Sequence, residues 1–570
     1  MQGTDVVLRS IRAAGADHLF LFVGGLVDPF LEPLAAGSGI TPVLGANEAG
    51  AAYAADGYAR ASGKFGAVLV IGGPGIFNAA GAIGAASADG VPMLVLSGEA
   101  PTTLEGRGYF QDASPLGTDD LRMFDALSGF SHEVPTPAAL PQFLRDAYRA
   151  MFSAWRRPVH LALPLDVQRG EVNGWHDAWL PDAGQPRVLD DEAFAKWVNE
   201  ALMPSTNFAI MAGWGAMESE AWPELLEVAE RFGIPVASTY RAKGIFPEDH
   251  PLSLGVFGYA GNPSAEGCLT GSGLETLLVL GSSLNQRDTL GWDARLQPRY
   301  GVGHVDRRED ALGRNFPVAH PIVGDVRTAL RRLVGDEAAC ARLESTKAAR
   351  EDWARAFLSR PRYYDPETRE VDATPMHPAR VVCALRDALP RDAALLVDSG
   401  AHRAFAGHHF PVYEPRRFFS ATGIGSMGWA IAAAHGVACA LPGVKVAVVT
   451  GDGCMLQNGI EIATAARHGF SILFVVMNNA ALGNVYLRAK KSGPGPAAFT
   501  LLRENDWAGF ARALGVEART VRTAEEAEAA FAEFVAGSGP MLVDAIVDRD
   551  ATTPIAAWID AMAHGNIFSE

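Results

Sequence analysis

Short apolar runs rich in Val, Ile and Leu, each ending in Gly, Asp or Asn and followed by a helical stretch, recur along the whole chain. A strand that is apolar at every position has both faces buried, so it belongs in a parallel sheet covered by helices on both sides. In the first third the runs are Ala67–Ile71, Met93–Ser97 and His160–Leu163. In the middle they are Phe208–Ala212, Leu277–Leu280 and Val302–Val305, and in the last third Leu395–Val397, Val446–Thr450, Ile472–Met477 and Met541–Val547. This rhythm predicts an α/β fold with doubly wound parallel sheets. One core does not serve 570 residues, so about three domains are expected. Two stretches interrupt the rhythm, an aperiodic linker from about Gln168 to Asp190 and a segment from about Leu343 to Pro375 that begins as a charged helix and ends as a linker, and they divide the chain into 1–167, 191–334 and 377–550, with a tail at 551–570.

A net charge of -17 argues against a nucleic-acid or anionic-membrane surface, which needs a basic patch. The five cysteines are scattered without short paired spacings, which points away from a disulfide framework or zinc site and fits a reducing cytoplasm. Val6, Val7, Leu8 and Ile11 fall at helical spacing, so the N-terminus reads as an amphipathic helix and not a signal peptide. No apolar run is long enough to span a bilayer, and a cytoplasmic protein is expected.

The most informative segment is Gly451-Asp452-Gly453 at the end of one apolar run and Asn478-Asn479 at the end of the next. Adjacent parallel strands bring their carboxyl ends side by side, where open α/β sheets bind ligands. Asp452 supplies an anionic oxygen and Asn479 a neutral one. Magnesium takes about six oxygens, so a diphosphate, a backbone carbonyl (Ala481) and water complete the shell. The glycines allow close approach to a phosphate, and a helix beginning near Cys454 offers free N–H groups. Each motif alone reads as a turn at a strand end sooner than as a site; the pair at this spacing, both after buried strands, reverses that reading.

GDG…NN, with the surrounding GDGCMLQNGIEIATAARHGFSILFVVMNNAALGNV, resembles the cofactor motif of thiamine diphosphate enzymes, in the branch containing acetolactate synthase and benzoylformate decarboxylase. The resemblance covers nearly the whole chain and implies pyrimidine-binding, central and diphosphate-binding domains. It implies thiamine diphosphate and Mg2+ as cofactors, with Asp452, Asn479 and Ala481 on the metal and Gly451, Gly453, Cys454, Leu482 and Gly483 around the diphosphate. Glu48, in NEAGAAYAADGYARASG, reads by itself as a helix N-terminal acid favoured by the dipole. The resemblance makes it the carboxylate that hydrogen-bonds the aminopyrimidine ring and activates the cofactor.

The same resemblance places Pro74, Asn78 and Phe22 along the pyrimidine, although Val23 stands where the family has proline after that aromatic. Gly400, Ala401 and His402 match a diphosphate-contacting loop, with Ala401 in place of the usual glutamine. Gly425 and Met427 match the segment whose bulky residue props the cofactor in a bent conformation; Met427 read alone is a core methionine.

Gln111, in GYFQDAS, matches the glutamine that acetolactate-synthase-like enzymes present to the active site, and the paired-histidine motif of pyruvate-decarboxylase-like enzymes is missing from the first domain. His408-His409 lies in the third domain and reads as a surface helix position. The central domain is similar to that of acetolactate synthase, which holds FAD, whereas other relatives bind another nucleotide there or nothing. Gly213, Gly215, Asp306 and Asp325 are the FAD positions the resemblance implies. Arg287 falls where the family offers an arginine to a substrate carboxylate, and it could equally pair with Asp288. Arg488 stands where acetolactate synthases have tryptophan, so a cation there would suit a carboxylated, phosphorylated or sulfonated acceptor or turn to solvent. The tail WIDAMAHGNIFSE departs from the family pattern.

The resulting expectation is decarboxylation of a 2-oxo acid, pyruvate by the resemblance, with ligation of the product to a carbonyl acceptor. The alternatives are simple decarboxylation, C–C lysis, or a non-catalytic binding or regulatory paralogue. Active sites are expected between subunits of a homodimer or homotetramer.

Overall fold

The computed structural model describes residues 1–180 and 187–555. It contains three six-stranded, all-parallel sheets flanked by helices, so the α/β expectation holds. The first holds β1 (His18–Leu21), β2 (Thr41–Leu44), β3 (Gly66–Ile71), β4 (Met93–Glu99), β5 (Ser131–Glu133) and β6 (Pro158–Pro164). The second holds β7 (Phe208–Ala212), β8 (Val236–Ser238), β9 (Ser253–Val256), β10 (Thr276–Leu280), β11 (Val302–Asp306) and β12 (His320–Val323). The third holds β13 (Ala394–Val397), β14 (Phe418–Phe419), β15 (Val446–Gly451), β16 (Ile472–Asn478), β17 (Glu517–Val521) and β18 (Met541–Ile546). Every apolar run read from the sequence falls on a strand, with only Val547, an isolated bridge to Met376, lying one residue past the end of β18. The strands that were not anticipated are mostly short or at sheet edges, such as two-residue β14 and β17, whose exposure alternates.

The first and third sheets share one order, β2-β1-β3-β4-β6-β5 and β14-β13-β15-β16-β18-β17, while the second runs β12-β11-β10-β7-β8-β9. The first and third units also share one hydrophobic core. Its centre is the crossing of helices Glu48–Ser62 and Trp429–Ala440. A Cβ on Gly57 would fall 2.0 Å from the Ala433 carbonyl oxygen, and one on Gly436 1.8 Å from that of Ala54, so only glycine permits the approach. A buried ion network ties the same units. Arg60 binds Asp56 at 2.5 Å and Asp89 at 2.8 Å, Trp429 Nε1 donates to Asp56 at 2.8 Å, and Asp89 accepts from the Gly423 amide at 2.9 Å. Removing one partner from such a network strands a buried charge, typically at about 3–5 kcal/mol.

Three expectations change or fall elsewhere. His408 and His409 are 2% and 1% exposed, not on the surface. His408 Nδ1 lies 2.8 Å from the Gly261 carbonyl and Nε2 accepts the Tyr364 amide at 3.0 Å, which fastens the linker to the third unit. The helix after Gly451 begins at Asp452, two residues before Cys454. Most of the 551–570 tail, and WIDAMAHGNIFSE entirely, lies outside the described residues. The N-terminal helix Gly3–Ala13 buries Val6, Val7, Leu8 and Ile11 as expected. Among the described residues no helix is long and apolar enough to cross a membrane.

Candidate active site

In an open α/β sheet the ligand crevice lies at the carboxyl ends of the strands where the winding reverses. In the third sheet that point is between β13 and β15. The segments following these strands, with the one following β16, enclose a cavity of about 280 Å³. Its wall includes Gly400, Ala401, His402, Met427, Gly451, Asp452, Gly453, Cys454, Asn479, Ala481, Leu482, Gly483 and Arg488. Gly425, at φ +68°, lies outside that wall, with a Cβ position 3.5 Å from Ser399 Oγ.

Asp452 is 2% exposed, and no cationic side chain among the described residues forms an ion pair with it. One of its oxygens accepts the amides of Asn479 at 2.9 Å and Ala480 at 3.0 Å; the other accepts Trp507 Nε1 at 2.9 Å. Burial raises its pKa against the pull of these donors. Asn479 Oδ1 accepts the Ala481 amide at 3.0 Å, curling the loop through Ala480 at φ +52°. A buried carboxylate met only by neutral donors favours a cation at its remaining lone pairs. Among the described residues no three His, Cys, Asp or Glu side chains converge to hold a metal ion. The Asp452 carboxylate, the Asn479 amide oxygen and the Ala481 carbonyl are hard oxygen donors of the kind magnesium takes together with diphosphate oxygens.

His402 is 6% exposed, and its Nε2 has no hydrogen-bond partner among the described residues. Burial and the nearby Arg403 lower its pKa to about 3, so it is neutral, with a ring nitrogen left for a ligand on the cavity wall. The glycines are used for contact. A Cβ on Gly453 would lie 2.5 Å from Met427 Cε and 2.7 Å from Leu482 Cδ2, and one on Gly451 3.0 Å from the His402 ring. Cys454 is buried, and its thiol donates to the Ser399 carbonyl at 3.3 Å. These residues fit the diphosphate end of the cofactor.

The equivalent point of the first sheet, between β1 and β3, carries the other group. Glu48 begins its helix behind the Asn47 cap, and Asn78 Nδ2 donates to Glu48 Oε2 at 2.7 Å. Pro74 starts the next helix, and a Cβ on Gly75 would lie 3.5 Å from Glu48 Oε1. Phe22 extends β1 by donating its amide to Leu69. Gln111, at φ +63°, presents its carbonyl 4.0 Å from the Cβ position of Gly73. None of these five residues lines the 280 Å³ cavity, whose wall comes wholly from 378–551.

In the central sheet the reversal lies between β7 and β10, where a cavity of about 110 Å³ includes Gly215 and Asp306. Gly213 and Gly215 pack against Gly281, and Asp325 is drawn away to cap helix Val326–Val334 through the Thr328 amide at 3.0 Å and to pair with Arg307 at 3.3 Å. Trp155, stacked under Arg308 at 4.3 Å, reaches in from the first unit. The cavity is lined by Gly215 and Asp306, whereas Gly213 and Asp325 lie outside its wall. Arg287 does not pair with Asp288. It stacks on Tyr259 at 4.6 Å, its Nη1 has no hydrogen-bond partner among the described residues, and Asp288 is held by Asn285 at 2.8 Å.

Sequence reading missed three residues. Glu461, fully buried, accepts the amides of Ala46 at 3.1 Å and Asn47 at 3.0 Å and so fixes the loop leading into Glu48 from the third unit. Its only signal was an acid in an apolar helix. Trp507 on Asp452 and Arg549 in the cavity wall gave no sequence signal.

Residues 1–120, 195–333 and 398–545 match the N-terminal TPP binding, central and C-terminal TPP binding domains of thiamine pyrophosphate enzymes. A probable acetolactate synthase large subunit of Methanocaldococcus jannaschii is 30% identical over 567 residues, covering 97% of this chain and 93% of the relative. The acetolactate synthase large subunit of Corynebacterium glutamicum is 31% identical over 575 residues, covering 97% and 87%. The acetolactate synthase of Arthrospira platensis is 30% identical over 569 residues, covering 96% and 94%. Three parallel sheets, the cavity at the third sheet's reversal and full-length similarity together show that this chain belongs to the thiamine pyrophosphate enzyme family, related to acetolactate synthase large subunits.

Proposed function

We propose that the protein decarboxylates a 2-oxo acid, with pyruvate as the first donor to test, and joins the product to a carbonyl acceptor. The observation that carries the cofactor half is the buried Asp452 carboxylate held only by neutral donors beside Asn479. When bound, thiamine diphosphate supplies the carbanion that adds to the carbonyl and takes up the electrons released with CO2. Asp452, Asn479 and the Ala481 carbonyl hold magnesium; His402 and the backbone around Gly400, Gly451 and Gly453 receive the diphosphate; Met427 and Leu482 support the cofactor across Gly453.

Glu48 holds the proton that the pyrimidine ring exchanges, with Asn78 orienting its carboxylate. Phe22 and Pro74 flank that ring, and Gln111 faces the reacting carbonyl. The Arg287 fork, prepositioned on Tyr259, receives a substrate carboxylate. The Glu48 group stands on a surface with Phe77 at 37%, Phe110 at 80% and Leu116 at 72% exposure, while Ile424 and Leu456 by the third-sheet cavity are 59% and 58% exposed. These apolar faces support a homodimer, alone or paired into a tetramer, in which one copy's Glu48 meets the other copy's Asp452. We assign no flavin step.

Protein loaded with thiamine diphosphate and Mg2+ and supplied with pyruvate and carbonyl acceptors should release CO2 and a hydroxy-ketone adduct. Aldehyde as the sole product would replace ligation by simple decarboxylation. Absence of CO2 release from every 2-oxo acid would favour the non-catalytic reading.

A further inference from the structure

The cavity has two chemically different ends. One is the cradle of glycines, Asp452 and His402; the other carries two arginines, Arg488 and Arg549. Arg488 lies on helix Gly483–Lys491, whose first residue packs against Ala401 and Asn479 at the cradle. Five residues further along a helix is a rise of about 7–8 Å, so the Arg488 backbone is displaced from Gly483 by about that much along the axis while its side chain still lines the cavity. Arg549 lines the same cavity. It follows β18, where the Val547 amide donates to the Asn478 carbonyl at 2.9 Å, next to the metal-site asparagine. Both positions are thus fixed by the motif that builds the cradle.

Neither guanidinium has a hydrogen bond or ion pair among the described residues, whereas neighbouring Lys490 is paired with Asp550 at 2.6 Å. Asp548 also lines the cavity, and its Oδ1 is occupied by the Asp550 amide at 2.9 Å. Two unpaired forks against one carboxylate leave this end positive in a chain of net charge -17. Guanidinium forks match carboxylate, phosphonate and sulfonate oxygens in two-point contacts.

We propose that Arg488 and Arg549 form a second anion subsite, so that the substrate of this site carries an additional anionic group beyond its 2-oxo carboxylate. The inference rests on the thiamine-dependent 2-oxo acid reading above. It makes the two arginines determinants of specificity, not of the bond-breaking step.

The test compares kcat/KM of the loaded enzyme for pyruvate with that for 2-oxoglutarate, oxaloacetate, phosphonopyruvate and sulfopyruvate. At least one of these dianions should exceed pyruvate tenfold or more. Arg488→Met and Arg549→Met should each cut the dianion-to-pyruvate ratio tenfold or more, while the thiamine diphosphate Kd, read by tryptophan quenching, stays within twofold. Calorimetric titration of the loaded protein with succinate against propionate gives a reading without turnover, in which the variants lose the succinate preference. Pyruvate turned over best, with ratios unchanged in both variants, overturns the second subsite and leaves the 2-oxo acid reading standing. A rise in thiamine diphosphate Kd in the variants reassigns the arginines to the cofactor and overturns it too. No turnover of any 2-oxo acid removes both readings together.

Discussion

The first and third sheets have the same strand order, yet the ends of their equivalent strands carry opposite chemistry. Beyond β15 in the third sheet stands buried Asp452, enclosed with the glycines and His402 in one cavity. Beyond β3 in the first sheet stand Pro74 and Asn78, exposed beside Glu48 with apolar Phe77 next to them. The same frame carries a buried carboxylate in a cavity wall in one copy and an exposed, partly apolar strand-end surface in the other. The difference teaches that burial within the chain is not the measure of a site here.

The comparison breaks most sharply with Glu48→Gln, which should lower kcat by about 10²–10⁴-fold while thiamine diphosphate still quenches tryptophan fluorescence. Asp452→Asn should act in the opposite sense, weakening Mg2+ and cofactor binding by about 100-fold or more, measured by titration into the apo protein. Co-purified hybrids of these two variants provide the cross-check. If the half-sites meet between subunits, mixing two inactive chains restores activity through one intact site per dimer; continued inactivity would place both halves in one chain.

Smaller effects sharpen the picture. Glu461→Gln keeps one acceptor for the Ala46 and Asn47 amides but removes the charge that grips both, so kcat should fall about 3–10-fold with cofactor affinity unchanged. An equal fall in cofactor affinity would assign Glu461 to the third-sheet cradle instead. The smallest effect concerns the carboxylates behind Gly72. Burial first, then Asp120 and Glu133, holds the Glu99 carboxyl well above the usual range, and burial with Glu105 raises Glu133 to about 7. Groups raised in the folded state contribute stability at low pH and lose it as pH rises through their folded values. The first unit should therefore weaken from pH 5 toward pH 9, and Glu99→Gln should recover about 1–3 kcal/mol at pH 9 with little change at pH 5, read by denaturant unfolding.

Much of this was legible in the sequence because it is local. Apolar runs such as Val446–Thr450 and Ile472–Met477 name central strands, since only a doubly covered parallel strand tolerates apolar residues at every position. Asp452 and Asn479 could be paired because adjacent parallel strands align their ends. His408 and His409 misled because helix position alone does not reveal that residues 363–364 of the linker cover them. Asp325 caps the helix that follows its strand, a role the sequence pattern alone does not separate from that of a nucleotide-binding acid.

The sequence by itself determined the α/β class and the cofactor motif, both properties of short segments and their spacing. Tertiary structure alone decided that Glu461 holds the Glu48 loop, that Trp507 holds Asp452, and that Arg549 lines the same cavity as Arg488. Each of these depends on groups far apart in the chain being packed to within a few ångströms, and no local pattern encodes that distance.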